Sequence, residues 1–389
     1  MTGNTDGLEP LDTDGDTDAN SGTDESGASM QTESDETPAR RRMDRRTASL
    51  IFSGLTLVIL VAVAAILPVP YVMLTPGPTF DTLGSFDGEQ LVTITGATTF
   101  PTDGALKLTT VGESGGPYGK VSLAEAFWGW FNPSVAVLPE RLLYPEKVDR
   151  GEVQQENSAD FLDSQSQATA AALRYLKEPV EQVVQVRSVT VSGASNDILQ
   201  PGDVIVEIDG QRPADANQAA DIITAKKPGS VVEFDLTRDT KPTTAKVTTK
   251  VSPADPKKSV IGITVTDSFQ GKDINVDYGL EQVGGPSAGL MFSLGIVDKL
   301  SKTSLTDGRT IAGTGSIDAD GFVGPIGGVQ QKVVGAKRDG ADYFLTPTRN
   351  CIDAFRAAPK GLTLVRVETL SDAVAELDKI RTGKPTTPC

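Results

Sequence analysis

The strongest hydrophobic pattern in the sequence lies near its N-terminus. No charged residue occurs from Thr47 to Phe80, and the 18 residues from Leu50 to Leu67 are nearly all aliphatic. As a helix, this run spans about 27 Å, which nearly matches the hydrocarbon core of a bilayer once flanking residues are added. We predict a transmembrane helix at residues 49–71, preceded by a basic juxtamembrane segment at 40–48 that holds five arginines.

A cleaved signal peptide is the alternative, because Ala62-Val63-Ala64 resembles a small-residue cleavage site. However, the apolar run exceeds the usual signal core of roughly 7–15 residues, and 46 residues precede Thr47. An uncleaved anchor is therefore favoured. The arginines would keep the N-terminus in the cytoplasm. This predicts a single-pass protein of the cell membrane whose folded part is extracytoplasmic.

After the apolar helix, residues 72–182 alternate short β-like runs with helical stretches at 122–131 and 158–177, and we predict an extracytoplasmic α/β region. The apolar helix itself is ended by four prolines, Pro68, Pro70, Pro76 and Pro78. The 122–131 helix carries four large aromatic residues, Phe127, Trp128, Trp130 and Phe131. They indicate either packing against a neighbouring domain or contact with the bilayer surface, where indole rings are favoured.

From residue 183 to 252 the pattern changes to short alternating strands separated by turns, with a short helix at 217–225. The run Leu199-Gln200-Pro201-Gly202-Asp203-Val204-Ile205, followed by Ile208-Asp209-Gly210, resembles a PDZ domain. PDZ domains bind an extended peptide by adding it as a strand beside a helix. The resemblance implies a groove that includes Val189, Val191 and Ile222. The alternative is a structural β-domain without a ligand.

Charge is distributed unevenly along the chain. The formal net charge is -16, and residues 1–39 hold 11 acidic residues and no Lys or Arg. This segment cannot bury enough apolar surface to offset its ordering entropy, so we predict a disordered acidic cytoplasmic tail. The acidic excess argues against nucleic acid as a partner, because phosphate binding needs clustered positive charge.

Several absences from the sequence restrict its chemistry. There is no histidine, which excludes a Ser–His–Asp triad, a Cys–His pair and a His-ligated metal site. The two cysteines, Cys351 and Cys389, support neither a zinc site nor a disulfide scaffold, although one disulfide between them is possible in an oxidising compartment. The sequence has no Gly-x4-Gly-Lys-Ser/Thr phosphate loop, so ATP is not expected as a ligand. We expect no metal and no cofactor.

Two short motifs in the last third of the chain are candidates for catalysis. Ser287 lies between glycines at the start of an apolar helix, where the helix dipole favours an oxyanion. An N-capping serine is the alternative. Without histidine, its base would be a lysine whose pKa is lowered by burial. On a helix beginning near Gly328, Lys332 is three residues from Val329 and four from Ala336, so it borders the apolar face. A snorkelling lysine with its amine in water is equally compatible with this spacing.

Together these motifs resemble the Lon-type proteolytic domain, here at residues 257–383. The matching segments are Pro286-Ser287-Ala288-Gly289, Gly313-Thr314-Gly315, and Pro325-Ile326-Gly327-Gly328 followed by Lys332. The resemblance implies that Ser287 is the nucleophile, Lys332 the general base and Thr314 a neighbour of the lysine. Gly285, Pro286 and Ala288 would support the oxyanion. Two positions depart from the family pattern, since Gly284 and Ser316 replace residues that are often acidic.

The whole arrangement resembles bacterial membrane-anchored, PDZ-containing Lon-like serine proteases. It implies a mixed α/β fold and an ATP-independent endopeptidase that uses a Ser–Lys dyad. The expected substrates are unfolded or flexible exported and membrane proteins, selected by the PDZ-like module. Membrane lipid would be contacted through one helix, and a hexameric ring is implied by the resemblance alone. The alternative is a catalytically silent PDZ adaptor at the outer face of the membrane.

Overall fold

The computed structural model describes residues 44–144, 149–280 and 283–389, so the predicted acidic tail at 1–39 lies outside the described residues. Its helices are α1 (Arg45–Ile66), α2 (Leu123–Phe131), α3 (Glu140–Leu143), α4 (Arg150–Tyr175), α5 (Ala216–Thr224), α6 (Gly289–Leu300), α7 (Val329–Arg338), α8 (Cys351–Ala357) and α9 (Leu370–Arg381). Its strands are β1 (Pro68–Val69), β2 (Tyr71–Asp81), β3 (Ser85–Phe86), β4 (Glu89–Gln90), β5 (Val92–Thr95), β6 (Ala105–Ser114), β7 (Val121–Ser122), β8 (Ala136–Pro139), β9 (Val180–Val189), β10 (Val204–Ile208), β11 (Val231–Arg238), β12 (Lys241–Thr248), β13 (Lys250–Val251), β14 (Ser259–Val260), β15 (Ile263–Gly271), β16 (Asn275–Tyr278), β17 (Thr310–Gly313), β18 (Ser316–Ile317), β19 (Val323–Gly324), β20 (Tyr343–Pro347) and β21 (Thr363–Val367). This is a mixed α/β fold, as expected.

Helix α1 is the apolar helix predicted near the N-terminus. It begins at Arg45 and ends at Ile66, so it starts and stops a few residues before the predicted 49–71. Pro68 follows directly in β1, and proline cannot supply the amide that would extend the helix. Among the described residues, α1 is the helix that is long and apolar enough to cross a membrane.

The largest sheet has six strands in the order β21-β20-β17-β6-β2-β8. Strand β6 pairs parallel with β17 and antiparallel with β2, and therefore lies inside the sheet. Three strands of the predicted region at 72–182, β2, β6 and β8, lie in the same sheet as β17, β20 and β21 from residues 257–383. The sequence alone does not reveal the pairing of β6 with β17, because more than 190 residues separate the paired Leu108 and Gly313.

Helix α6 lies in the centre of the core. All residues from Gly289 to Asp298 are buried, which suits a helix that is apolar on every face. Phe292 packs edge-on against Phe161 of α4, with ring centroids 5.7 Å apart, and against Tyr278 at 4.8 Å. The N-terminus of α6 is thereby held in place, and this is where the candidate nucleophile lies.

A second sheet has the order β12-β11-β10-β9-β15 and forms the PDZ-like part of the molecule. Four of its strands come largely from the predicted 183–252 range, while the end strand β15 is supplied from residues 263–271. Helix α4 contacts this sheet through Ser166, whose hydroxyl accepts a hydrogen bond from the Phe269 backbone amide at 2.7 Å. Helix α4 therefore has the PDZ-like sheet on one side and α6 on another.

Candidate active site

Ser287 lies on a sharp turn that leads into α6. Gly285 has φ of 84°, which only glycine adopts readily, and residues 286–288 form one turn of 3₁₀-helix before α6 begins. Helix α4 fixes this turn from outside. The Gly285 amide donates to the Asn157 carbonyl at 2.8 Å, and the Ser164 hydroxyl donates to the Pro286 carbonyl at 3.1 Å. The Ser287 hydroxyl is thus presented at a helix N-terminus, where positive dipole and free amides collect.

Lys332 reaches the same point from α7. Gly328 precedes α7 with φ of 67°, which lets the chain turn sharply before the helix begins. The Lys332 side chain is only 3% exposed, and its Nζ lies 2.7 Å from the Ser287 Oγ. Burial lowers the pKa of the Lys332 ammonium from 10.5 to about 7. The snorkelling alternative is therefore wrong, because the amine lies inside the protein beside the serine.

Thr314 joins the two predicted residues. Its Oγ1 accepts a hydrogen bond from Lys332 Nζ at 3.0 Å and donates one to the Ser287 carbonyl at 3.1 Å. The next residue, Gly315, also donates its amide to the Ser287 carbonyl, at 3.0 Å. Both come from the end of β17, in the middle of the large sheet. Ser287, Lys332 and Thr314 are therefore brought together from three separate elements, while their catalytic roles stay a prediction.

A cavity of about 690 Å³ opens onto Ser287 and Lys332. Much of its wall is apolar, formed by Pro78, Phe80, Leu108, Val111, Val283 and Ile326. Its polar wall includes Glu113, whose carboxylate accepts a 2.7 Å hydrogen bond from the Tyr144 hydroxyl. Burial, together with this carboxylate, raises the pKa of Tyr144 above its usual value. An extended peptide could place an apolar side chain in this cavity beside the serine.

Sequence reasoning missed the residues that support this site. Asn350 is buried and forms two hydrogen bonds with Ile326, accepting from its amide and donating to its carbonyl, each at 2.9 Å. Ile326 lines the cavity together with Pro325 and Gly327. Asn350, Asn157 and Ser164 lie far from both motifs in sequence, so no local pattern could have identified them.

The two departures from the family pattern have different surroundings. A side chain at Gly284 would place its Cβ 2.8 Å from the Cβ of Asn157, so the close approach of α4 favours glycine there. Ser316 lies in β18, paired with Gly324 in a two-stranded hairpin. Neither position breaks the contacts between Ser287, Lys332 and Thr314.

The predicted peptide-binding residues do not share an open sheet edge. Val189 lies opposite Ile263 of β15, and its carbonyl accepts a hydrogen bond from the Gln155 side chain at 2.8 Å. Val191 lies beyond the end of β9 and is exposed. Peptide addition requires an edge strand with free backbone groups. The edge beside α5, which carries Ile222, belongs instead to β15.

The remaining predictions on ligands concern metals and cysteines. In the ranges that the structure describes, no cluster of three or more Cys, Asp or Glu side chains could hold a metal ion. Cys351 and Cys389 form a disulfide, which ties the C-terminal residue to the first turn of α8. Cys351 directly follows Asn350, which is hydrogen-bonded to Ile326.

Comparison with known proteins assigns both parts of the molecule. Residues 256–377 match the C-terminal proteolytic domain of Lon protease, and residues 165–249 match the PDZ domain family. Lon protease 2 of Bacillus subtilis is 34% identical over 115 residues, which are 29% of this chain and 20% of that protein. Lon protease of Metamycoplasma arthritidis is 38% identical over 98 residues, 24% of this chain and 12% of that protein.

Among solved structures, the PDZ domain of an SdrC-like protein from Listeria monocytogenes is 30% identical, covers 21% of this chain and 86% of that chain, and has a TM-score of 0.20. The chain spans a fifth or less of the length of the two Lon proteases just named. Residues 256–377, which match the Lon proteolytic domain, contain the Ser287 turn, the Thr314 strand end and the Lys332 helix. The chain therefore carries a serine-peptidase domain of the Lon type together with a PDZ domain.

Proposed function

We propose that this protein is a membrane-anchored, ATP-independent serine endopeptidase in which Ser287 and Lys332 form the catalytic dyad. The carrying observation is the 2.7 Å contact between Ser287 Oγ and a lysine amine that burial brings to a pKa of about 7. At neutral pH a large fraction of that amine is uncharged and has a free lone pair. It can then accept the serine proton instead of donating one.

The proposed reaction has two halves. Lys332 Nζ takes the proton from Ser287 Oγ as the oxygen attacks the peptide carbonyl, and the resulting ammonium gives that proton to the leaving amine. In the second half Lys332 takes a proton from water as the water oxygen attacks the acyl-enzyme ester, and the ammonium returns that proton to Ser287 Oγ as the ester bond breaks. The amides at the N-terminus of α6 face the developing oxyanion. Thr314 holds the amine in line in both halves.

The substrate is proposed to be an unfolded or flexible exported protein. No phosphate-loop sequence occurs in the chain, and the site lies in a cavity with an apolar wall that fits an extended peptide. The PDZ domain would bind part of the substrate along β15, beside α5. Helix α4 contacts β15 through Ser166 and the Ser287 turn through Ser164, and so connects the proposed peptide-binding strand with the proposed nucleophile.

Anchoring is proposed through α1, with the arginines before it on the cytoplasmic side and the folded part outside. A homo-oligomer in the form of a hexameric ring is proposed from the family resemblance alone. A catalytically silent adaptor remains the second candidate. Its specific support is Gly284, which replaces an acidic residue of the family motif.

The test uses the full chain in lipid nanodiscs with an unfolded exported protein as substrate and no nucleotide. Ser287→Ala and Lys332→Met should each abolish cleavage, since either removes one partner of the proton transfer. Matched controls are Ser371→Ala and Lys302→Met, which change exposed residues of the same domain and should cleave as the unaltered chain does. Undiminished cleavage in Ser287→Ala or Lys332→Met would reject the dyad. Peptide binding without cleavage by the unaltered chain would favour the adaptor.

A further inference from the structure

Helix α2 turns its small side chains toward the protein and its large apolar side chains toward the outside, which is the reverse of an ordinary surface helix. The residues that it buries are Ala126 and Gly129. The residues that it exposes are four aromatics, each more than half exposed, Phe127, Trp128, Trp130 and Phe131. A surface helix normally points its largest apolar side chains into the core. In α2 the large apolar side chains are instead exposed on the protein surface.

The buried side of α2 is closely packed, so the helix cannot simply roll over. A Cβ at Gly129 would lie 2.6 Å from Val137, and Ala126 packs in a small cluster with Met73 and Val121. The helix is also fixed at its N-terminus by a capping box, in which Ser122 and Glu125 exchange hydrogen bonds. Glu125 is the one charged residue of α2. The aromatic face is therefore a built feature and carries no charge.

The position of α2 in the chain indicates what covers that face. Its first residue, Leu123, donates its amide to the carbonyl of Leu67 at 2.9 Å, directly after the end of α1. Strand β7, which leads into α2, pairs with β1, so Val121 lies opposite Val69. Helix α2 thus begins within one hydrogen bond of the point where the candidate membrane helix ends.

A second short helix starts from the same point. The Glu140 amide at the start of α3 donates to the Pro70 carbonyl at 3.0 Å, and α3 exposes Leu142 and Leu143. Two elements with exposed apolar side chains therefore both begin at the segment between residues 67 and 70. If α1 spans the bilayer, this segment lies at the membrane–water boundary. Tryptophan is enriched at that depth, because its ring is apolar while its N–H can reach water.

We infer that α2, together with α3, binds the outer leaflet of the membrane at the level of the lipid headgroups and upper acyl chains. The four aromatic side chains would insert shallowly, as amphipathic interfacial helices do, to a depth of roughly 5–10 Å. The inference rests on the proposed anchoring through α1. Lipid would then cover the exposed apolar side chains of α2. This contact would hold the proteolytic domain close to the membrane, where exported chains emerge.

The test exploits the tryptophan content of the chain. Its two tryptophans, Trp128 and Trp130, are both on α2, so intrinsic fluorescence reports on this helix alone. The full chain is reconstituted in phosphatidylcholine vesicles whose lipids carry bromine near the top of the acyl chains. We expect bromolipid to reduce the emission about twofold or more, and aqueous iodide to have little effect. Trp128→Phe and Trp130→Phe assign the signal to each ring while keeping the face apolar.

Two results would overturn the inference. Quenching by iodide but not by bromolipid would place both rings in water, and protection from both quenchers would place them against protein, such as a second copy of the chain. Extraction with alkaline carbonate separates this from failure of the anchor, since a chain that stays in the membrane but has aqueous tryptophans contradicts only the α2 proposal. Labelling of Ser287 by a fluorophosphonate in the same sample verifies that the proteolytic domain is folded.

Discussion

Two regions of this molecule reverse the usual distribution of polar and apolar side chains. In the Ser287 site a lysine is 3% exposed, among the most buried polar residues of the described chain. On α2 the reverse holds, since Phe131 is 74% exposed and Ala126 is fully buried. The first region hides a group that prefers water, and the second exposes groups that avoid it.

The two reversals differ in how they are compensated. The cost of burying the Lys332 amine is offset inside the protein, by hydrogen bonds to the hydroxyls of Ser287 and Thr314. The fall of its pKa to about 7 also lets the amine lose its charge near neutral pH. On the outer face of α2, Trp130 packs edge-on against Tyr71 of β2 with ring centroids 5.5 Å apart, yet all four aromatic side chains stay more than half exposed. The rest of this apolar area has to be covered from outside the protein. A buried polar group with internal partners indicates chemistry, and an exposed apolar face on a fixed helix indicates a surface that it binds.

The largest expected effect comes from Lys332→Met, and activity and stability should change in opposite directions. Cleavage should fall by about 10³-fold or more, because the serine loses its base. The free energy of unfolding at pH 7 should rise by roughly 2–4 kcal/mol, because an amine that burial disfavours is replaced by an apolar chain. Denaturant unfolding measured beside cleavage checks both, and a loss of stability would contradict the account.

The same substitution should remove a pH dependence of stability. The pKa of Lys332 is about 7 in the folded state against 10.5 for the free side chain, so between these values the unfolded state binds the extra proton. Stability of the unaltered chain should therefore rise with pH across this window. Lys302→Met, at an exposed lysine, should leave that slope in place.

The next effect concerns Thr314→Val, which keeps the side-chain shape but removes the hydroxyl. Lys332 Nζ loses an acceptor and the Ser287 carbonyl loses a donor, so the amine is less well aligned with the serine. We expect kcat to fall by about 10–100-fold with little change in KM. Thr314→Ser should recover most of the loss. An equal rise in KM would indicate a disturbed cavity instead.

Asn350→Ala should have a smaller effect that appears mainly in KM. It leaves the amide and carbonyl of Ile326 without their partners, so the loop that forms one wall of the cavity is less well fixed. We expect KM to rise by about tenfold, and stability to fall by about 1–3 kcal/mol. Asn350→Asp keeps the acceptor for the Ile326 amide, so its KM and stability should lie between those of the unaltered chain and those of Asn350→Ala. A fall in kcat alone would contradict this placement.

The smallest expected effect is that of Phe131→Ser on stability. The ring is mostly exposed and its nearest aromatic neighbour, Phe127, is exposed as well. In detergent-free nanodiscs the substitution should weaken protection of the tryptophans from iodide, while unfolding of the proteolytic domain changes by no more than about 0.5 kcal/mol. A large loss of stability would mean that the aromatic face supports the fold itself.

The site could be predicted from sequence because its chemistry is encoded in short local motifs. The glycines around Ser287 and the helical spacing of Lys332 are visible without a structure, and the absence of histidine restricts the choice of base. Spacing alone could not decide whether Lys332 is buried, because that depends on the strand end at Thr314 and on the cavity wall. Asn350 and Ser164 act through contacts between distant segments, which no local pattern reveals.

The same limit explains the fold. Helices α2 and α5 follow from local periodicity and capping residues such as Ser122, and their predicted and observed bounds nearly coincide. Helix α7 begins at Val329, directly after the predicted start near Gly328. Strand partners depend on long-range pairing, so neither the union of β6 with β17 nor the position of β15 at the edge could be derived. Sequence reasoning placed Val189 and Val191 at the PDZ groove, whereas the sheet edge beside α5 belongs to β15, and which strand binds a peptide stays a prediction.

The most direct test of the central claim is the pH dependence of Ser287 acylation by a fluorophosphonate, measured as a rate on the full chain. If neutral Lys332 is the base, the rate should rise with pH and level off above a midpoint near 7. Lys332→Met should abolish this dependence and reduce the rate at every pH. A midpoint near the ordinary lysine value, or a rate that Lys332→Met leaves unchanged, would contradict the account.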